Sequence, residues 1–435
     1  MDYDLAVIGA GWAGFNAALK AKAHGLKVVI IEKDQIGGTC LNRGCIPTKT
    51  LLQSVKAYSL AKKSGTFGIE VRDPQINFSA VQSRKENVMQ QLRQGMKLVL
   101  GDMDLLKGDA RILDSNTIRV GEKEICTMFI LVASGSKPLE LKDIKLDGKK
   151  IISSNEILNL KELPSSLLII GGGVIGCEFA SLFSAFGCQV TIVELTPQLL
   201  PGLDKEVARK IETIFKKKGV KVSTDTDAKA FNFNDYDLVL LCVGRAPATE
   251  GLGLDEVGVR SVNGMISVDD TLKTDIPNIY AAGDCASKTM LAHFAAYQGC
   301  IAAENIAEPL RTPRRSDSSC IPSCIFTDPE IGAVGITEEE AKRGNIDVGV
   351  NKFDFLGSGM ARILDETNGF IKIISNKSSG DILGASIIGP RATELIGILS
   401  VAVQSRLKVS QMRDTILAHP TLSEGITSAL KEDGI

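Results

Sequence analysis

The sequence is poor in three things, and each shortage excludes a class of function. No apolar run approaches the roughly 18 residues that a membrane-crossing helix needs, so no membrane span is expected. There is no excess of charge. Against 50 Lys and Arg stand 52 Asp and Glu, a net −2, which gives no electrostatic case for nucleic acid. Histidine is scarce, with only His24, His293 and His419. No cysteine pair has a second pair or histidines close behind it, as a zinc site wants, so no metal is expected. The chain opens directly on Asp2-Tyr3-Asp4 and a strand. A cytoplasmic protein, or one already processed, is the expectation.

What is present is length and cysteine. A chain of 435 residues exceeds one ordinary core and predicts about two to four domains. Ten cysteines in so large a chain are expected to be mostly reduced. Cys126, Cys177, Cys188, Cys242, Cys285 and Cys300 lie among apolar residues and are read as small core side chains. Cys320 and Cys324 sit in Cys-Ile-Pro-Ser-Cys-Ile-Phe. If that run is extended they stand about 13 Å apart, beyond the roughly 7 Å that a disulfide bridges.

The remaining pair is different. Cys40 and Cys45 fall in Gly37-Gly38-Thr39-Cys40-Leu41-Asn42-Arg43-Gly44-Cys45-Ile46-Pro47-Thr48-Lys49. Thr48 to Leu60 is helix-permissive and Pro47 suits a first turn. Cys45 is therefore placed at a helix N-terminus, where free N–H groups and the dipole favour a thiolate. A close pair with one thiolate stabilised is what reversible thiol–disulfide exchange needs.

Around this stretch lies a repeated grammar. Asp4 to Ile8 is an apolar strand, followed by Gly9-Ala10-Gly11-Trp12-Ala13-Gly14, an alanine-rich helix to about His24, and a strand Lys27 to Ile31 that ends at Glu32. Later come Leu167 to Ile170, Gly171-Gly172-Gly173-Val174-Ile175-Gly176, a helix to about Phe186, and Gln189 to Val193 ending at Glu194. Each is a βαβ dinucleotide fingerprint in full context: glycines admit a pyrophosphate, the helix N-terminus takes its charge, and the acid accepts from ribose hydroxyls. Two such sites suit two cofactors that exchange electrons. Glu194 repels a 2′-phosphate and no arginine follows it, which favours NAD over NADP.

On the Gly-Gly-Thr-Cys-x4-Gly-Cys-x-Pro-x-Lys pattern the chain resembles the flavin-dependent pyridine nucleotide–disulfide oxidoreductases. The resemblance implies FAD at the first fingerprint, against a Cys40–Cys45 disulfide, and NAD at the second. It implies an α/β fold with two Rossmann-like dinucleotide-binding domains and a C-terminal α+β dimerisation domain. The expected bounds are 1–140 with 266–318 for FAD, 141–265 for NAD, and 319–435 for the dimer interface. Lys33, Gly38, Thr39 and Lys49 join the FAD set, as does Ala110 in the turn beside the adenine. Ser134 and Gly135 close the first segment, Asp284 meets the ribityl chain, and Leu291-Ala292-His293 opens a helix facing the flavin. The nicotinamide side takes Gly171, Gly173, Val174, Ile175, Gly176 and Glu194, with Gly244 and Arg245 on the return strand. Phe294 and Gln298 are less usual in the family, and Glu308 to Ser319 reads as a surface connection. The family's three-stranded meander does not fit between Val222 and Leu238, since it needs roughly 20 residues. A short hairpin or a loop is expected there.

A dithiol substrate must shed protons as its electrons leave, and imidazole is the natural base near neutrality. In Ala418-His419-Pro420-Thr421-Leu422-Ser423-Glu424 the resemblance makes His419 that base, oriented by Glu424. Thr421-x-x-Glu424 is also a capping box, so Glu424 has a purely helical reading. In the family Lys49 and Glu178 pair beside the flavin. The His-Pro-Thr-Leu-Ser-Glu wording is most similar to the dihydrolipoamide dehydrogenases. That implies a homodimer, Cys40 as the sulfur that exchanges with substrate, Cys45 as the flavin-side thiolate, and as partner a lipoyl domain of a 2-oxoacid dehydrogenase or glycine-cleavage complex. A C-terminus without cysteine, Lys431 to Ile435, separates the chain from mercuric reductases. The rivals are an NADH-dependent reductase of another disulfide and a redox-sensing flavoprotein.

Overall fold

Wholly apolar runs such as Leu5–Ile8, Val28–Ile31 and Leu167–Ile170 are buried on both faces, the pattern of strands covered by helices on each side. A computed structural model describes residues 1–431 and arranges these strands in three main sheets. The tail from Glu432 to Ile435 lies outside the described residues.

In the first sheet the order is Asp104–Lys107, Val28–Glu32, Tyr3–Ile8, Lys123–Val132, Thr117–Val120, Ala110–Ile112. Its first four strands run parallel, with Leu5 opposite both Val28 and Phe129, and the last pairs are antiparallel. Three helices follow from its turns: α1 (Trp12–Ala23), α2 (Gly38–Arg43) and α3 (Cys45–Lys62). Helix α3 begins at Cys45 rather than Thr48, so the first turn includes the cysteine.

The second sheet is fully parallel, ordered Lys221–Ser223, Gln189–Val193, Ser166–Ile170, Leu238–Leu241, Ile151–Ile152. It carries α4 (Val174–Ala185) and α5 (Lys205–Lys217). Asp204 caps α5, and Val207, Ala208, Ile211, Ile214 and Phe215 form its buried stripe. Between Ser223 and Leu238 no strand forms. The chain makes two 3₁₀ turns, Ala228–Ala230 and Phe233–Asp235, each begun by an Asp or Asn side chain. The loop, not the hairpin, fills the shortened stretch. The return strand ends at Leu241, so Gly244 and Arg245, expected on it, lie beyond its end.

Ile279–Ala281 then rejoins the first sheet beside Lys123–Val132, and α6 (Ala292–Ala307) lies against α1. Their approach is so close that a Cβ on Gly299 would stand 2.1 Å from the Ala13 carbonyl oxygen.

The third sheet is antiparallel, ordered Ser323–Ile325, Glu330–Gly335, Ile382–Gly389, Phe370–Asn376, Val348–Asp354. Helix α7 (Ala392–Gln404) packs on it, and α8 (Glu424–Ala429) ends the described chain. One apolar core runs through all three regions. It joins Leu51, Leu52 and Val55 of α3 to Phe179 and Phe183 of α4, and to Ile325, Ile331 and Ile388 of the third sheet. Burying each such side chain contributes about 1.5–3 kcal/mol, so the regions are welded rather than hinged on linkers.

Among the cysteines one expectation fails. Cys126 is exposed, because it falls on the outward positions of an alternating strand, Lys123–Val132. Cys300 is half-buried, whereas Cys177, Cys188, Cys242 and Cys285 are core residues. Cys320 sits in a turn and Cys324 in a strand. Their sulfurs have separate neighbours, Ser319 Oγ and the Thr393 carbonyl, each 3.6 Å away.

No helix among the described residues is long and apolar enough to cross a membrane, and no cluster of metal-ligating side chains occurs among them.

Candidate active site

Gly44, at φ −148° and ψ −110°, breaks the chain between α2 and α3. That break brings Cys40, inside α2, against Cys45, the first residue of α3. Both are thiols here, and both are half-buried. The Cys40 thiol donates to the Cys45 sulfur, which lowers Cys45 to about 7, with the Lys49 ammonium helping and burial opposing. The same bond, with burial, raises Cys40. The two sulfurs are thus electrically unequal, and the thiolate belongs to the one at the helix N-terminus.

Trp12, the first residue of α1, stands beside Cys40. Its ring Nε1 is buried and no protein oxygen or nitrogen accepts from it. Sequence reasoning passed over Trp12, whose only signal was a large aromatic in a position inside a glycine fingerprint.

Lys49 lies one turn beyond Cys45. Its Nζ is 2.8 Å from each carboxylate oxygen of Glu178, on α4. Glu178 Oε1 also accepts the Phe326 N–H at 3.0 Å, and the Phe326 ring lies 4.8 Å from Nζ. The expected pair is therefore formed, and Phe326 of the third region completes it. A backbone donor of that kind leaves no mark in a sequence.

The two fingerprints share one construction. Gly9, at φ +105°, would put a Cβ 2.4 Å from the Ala133 carbonyl oxygen, and Gly171, at φ +109°, one 2.5 Å from that of Cys242. Glu32 Oε2 accepts the Ala10 N–H at 2.7 Å and Oε1 the Asp34 N–H at 2.8 Å. Glu194 does the same with Gly172 and Thr196, both at 2.7 Å. Backbone donors thus orient each acid at the mouth of its turn. Gly11 and Gly173 are the residues before α1 and α4, Gly14 and Gly176 are buried in their first turns, and Val174 and Ile175 open α4.

Other expected residues fall around the first mouth. Gly38 and Gly11 are in backbone contact, a Cβ on Gly38 standing 2.8 Å from Gly11 Cα. Ser134 Oγ is buried and satisfied by no protein oxygen or nitrogen. Ser136 donates to Asp284. Arg245 opens the Arg245–Pro247 strand, which pairs with Ser136–Pro138. Its Nε and NH2 donate to Ser136 at 2.7 Å, and NH2 lies 3.5 Å from Thr39 Oγ1. Gly244, at φ +129°, makes the turn that sends it there. Lys33 Nζ lies 3.7 Å from Asp109, next to buried Ala110. Gly135 makes a left-handed turn after Ser134. Leu291 and Ala292 begin α6, but the His293 ring bonds the Pro322 carbonyl at 2.9 Å, and Gln298 takes the Gly283 N–H at 3.0 Å. A dinucleotide fits this first mouth: the turn has no room for a Cβ, the acid is set, and a buried hydroxyl is left over. The second mouth, with its matching turn and acid, fits another.

The His419 side chain is 80% exposed. Nδ1 lies 2.8 Å from Glu424 Oε1. A carboxylate only accepts, so the proton sits on Nδ1 and Nε2 is left free to take one. The other Glu424 oxygen accepts the Thr421 N–H at 2.8 Å. These bonds, Thr421 first and His419 second, lower the carboxyl of Glu424. Both readings of Glu424 hold in part, although α8 is entered at Ser423 rather than Thr421.

Residues 3–299 match the family model of the pyridine nucleotide-disulphide oxidoreductases, and residues 321–430 match that family's dimerisation domain. The chain is 37% identical to a dihydrolipoyl dehydrogenase of Bacillus subtilis, covering 100% of this chain and 98% of that one. It is 40% identical to the dihydrolipoyl dehydrogenase of Geobacillus stearothermophilus over 96% and 93%. Among solved structures it is similar to RclA, an HOCl-induced flavoprotein disulfide reductase from Escherichia coli, with a TM-score of 0.88, 30% identity and coverage of 98% and 99%. The chain belongs to the pyridine nucleotide–disulphide oxidoreductases, and within them to the dihydrolipoyl dehydrogenases.

Proposed function

We propose that the chain oxidises protein-bound dihydrolipoamide and reduces NAD, working as a cytoplasmic homodimer whose partner is a lipoyl domain of a 2-oxoacid dehydrogenase or glycine-cleavage complex. The unequal Cys40–Cys45 pair carries this reading. We assign FAD to 1–140 with 266–318, NAD to 141–265 and the dimer interface to 319–435.

In the oxidised enzyme Cys40 and Cys45 form a disulfide. A substrate thiolate attacks Cys40, the Cys40–Cys45 bond breaks, and Cys45 leaves as the stabilised thiolate. The second substrate sulfur then attacks the first, closing the lipoamide ring and releasing Cys40. Two protons leave the substrate in the process. His419 Nε2 accepts one while Glu424 holds the ring by Nδ1, and the Cys40 sulfur takes the other as it is released. When bound, FAD supplies the two-electron relay from the dithiol pair to NAD. Lys49 and Glu178 would set the charge beside that relay, Glu32 and Glu194 would hold the two riboses, and the helix N-termini would take the phosphates.

Steady-state assays decide between substrates. Free dihydrolipoamide with NAD should turn over rapidly, and glutathione disulfide with NADH or NADPH should not. Rapid reduction of another disulfide without lipoamide turnover would make the enzyme a different reductase. Slow turnover of both, with FAD bound, would favour a sensor.

A further inference from the structure

Lys372 lies in the Phe370–Asn376 strand of the third sheet, with its side chain 2% exposed. Its Nζ meets three carboxylates: Glu338 Oε2 at 2.8 Å, Asp204 Oδ2 at 2.9 Å and Glu206 Oε1 at 3.4 Å. Burial works against this charge, but Asp204 and Glu338 more than offset it, and its pKa is raised. Two of the three acids belong to the start of α5, on the second sheet. Lys352, on the neighbouring strand, also reaches Glu206, at 2.6 Å.

Asp204 faces two ways. Oδ1 caps α5, accepting the Glu206 N–H at 2.9 Å and the Val207 N–H at 3.4 Å. Oδ2, buried and without a hydrogen bond, stands against Lys372 Nζ as an ion pair. Upstream, the loop from Leu199 runs back to the nucleotide turn. Leu203 N–H donates to the Leu200 carbonyl at 3.1 Å, and Leu200 N–H to the Gly172 carbonyl at 2.8 Å. A Cβ on Gly172 would lie 2.5 Å from Leu199 Cδ2 and 3.1 Å from Glu194 Cβ. Gly172 N–H in turn holds Glu194 Oε2. An unbroken line of contacts therefore joins a buried cation in the dimerisation domain to the acid at the second fingerprint.

We propose that Lys372 is a positioning residue for the nicotinamide dinucleotide: by gripping Asp204 it fixes the Leu199–Asp204 loop, and through Gly172 it sets the Glu194 carboxylate that takes the ribose. This rests on NAD occupying the second fingerprint. The dithiol half of the reaction runs through Cys40 and Cys45, which are not among the partners of Lys372 or Asp204, and does not depend on the grip.

The test uses the full-length, FAD-loaded enzyme. Lys372→Met strands a buried carboxylate, so it is paired with the double variant Asp204→Asn/Lys372→Met, in which asparagine still caps the helix. Calorimetric titration with NAD should show affinity weakened roughly tenfold in both, a usual size for coupled sites, and KM for NAD should rise in step. Reduction of the disulfide by dihydrolipoamide, followed by stopped flow without NAD, should keep its wild-type rate, and Lys372→Arg should regain most of the affinity. Wild-type NAD affinity in the folded double variant would overturn the proposal. So would an equal fall in the dithiol half-reaction, which would mean general loosening. If the wild-type enzyme itself took up no NAD in the calorimeter, the nucleotide reading would fall, and the proposal with it.

Discussion

Lys49 on α3 and Glu178 on α4 meet in a two-pronged ion pair, Nζ standing 2.8 Å from each carboxylate oxygen. The carboxylate side chain is only 5% exposed, the ammonium 27%. Lys49→Met leaves that carboxylate with the Phe326 N–H alone. Breaking a buried pair costs about 3–5 kcal/mol, and the partial exposure of Lys49 points to the lower end. The melting temperature should drop by roughly 5 °C, and flavin reduction by NADH should slow by about tenfold. Glu178→Gln added to Lys49→Met should restore the melt but not the rate. Unchanged melting and unchanged rate in Lys49→Met would take the pair out of the mechanism.

Glu194 should make NADH much the better nucleotide. Its two oxygens already hold the Gly172 and Thr196 N–H groups, so Glu194→Ala loses the ribose acceptor and loosens the turn. KM for NAD should rise by roughly tenfold or more, the worth of a hydrogen bond to a charged group. NADPH should not become a good donor, since no arginine waits there. Comparing kcat/KM for the two nucleotides in both proteins checks this, and a wild-type preference for NADPH would refute it.

Cys45 is lowered to about 7, so its thiolate is present above that pH and lost below it. In partly reduced enzyme a long-wavelength absorbance band, from the thiolate against the flavin, should grow as pH rises through about 7. Cys40→Ser leaves Cys45 free and should show the band without any reductant. Cys45→Ser should show none at any pH. The opposite result would exchange the roles of the sulfurs.

The His419 side chain is 80% exposed in the single chain, and two-fold symmetry would let each subunit lend it to the other's cysteines. Cys40→Ser and His419→Ala homodimers should both be nearly inactive. A purified heterodimer of the two has one site with both defects and one with neither, so about half the activity should return. A heterodimer that binds FAD and recovers no lipoamide turnover would show that each tail serves its own chain.

Some of this was legible in the chain because sterics write it there. Gly9 and Gly171 sit where a Cβ would strike a carbonyl, so the turns could be read from glycine spacing alone. The stretch from Val222 to Leu238 was simply too short for three strands, and a loop resulted. What could not be read depends on groups without a sequence signature or on partners far away in the chain. The Phe326 N–H is a backbone donor. Arg245 follows the second sheet in the chain but bonds Ser136 and lies near Thr39 of the first segment, a contact made through the turn at Gly244. Lys372 looks like any strand lysine until folding surrounds it with three acids, two of them from another region. Cys126 was misplaced because local apolarity does not say which face of a strand a residue takes.

Trp12 is the only tryptophan in the chain, and it stands beside Cys40 at the first fingerprint. All indole emission from the protein therefore comes from one spot. Intrinsic fluorescence becomes a local gauge without any label. It should be dimmed by energy transfer when flavin loads, and should change again when the neighbouring Cys40–Cys45 disulfide is reduced, with no second indole to blur either signal.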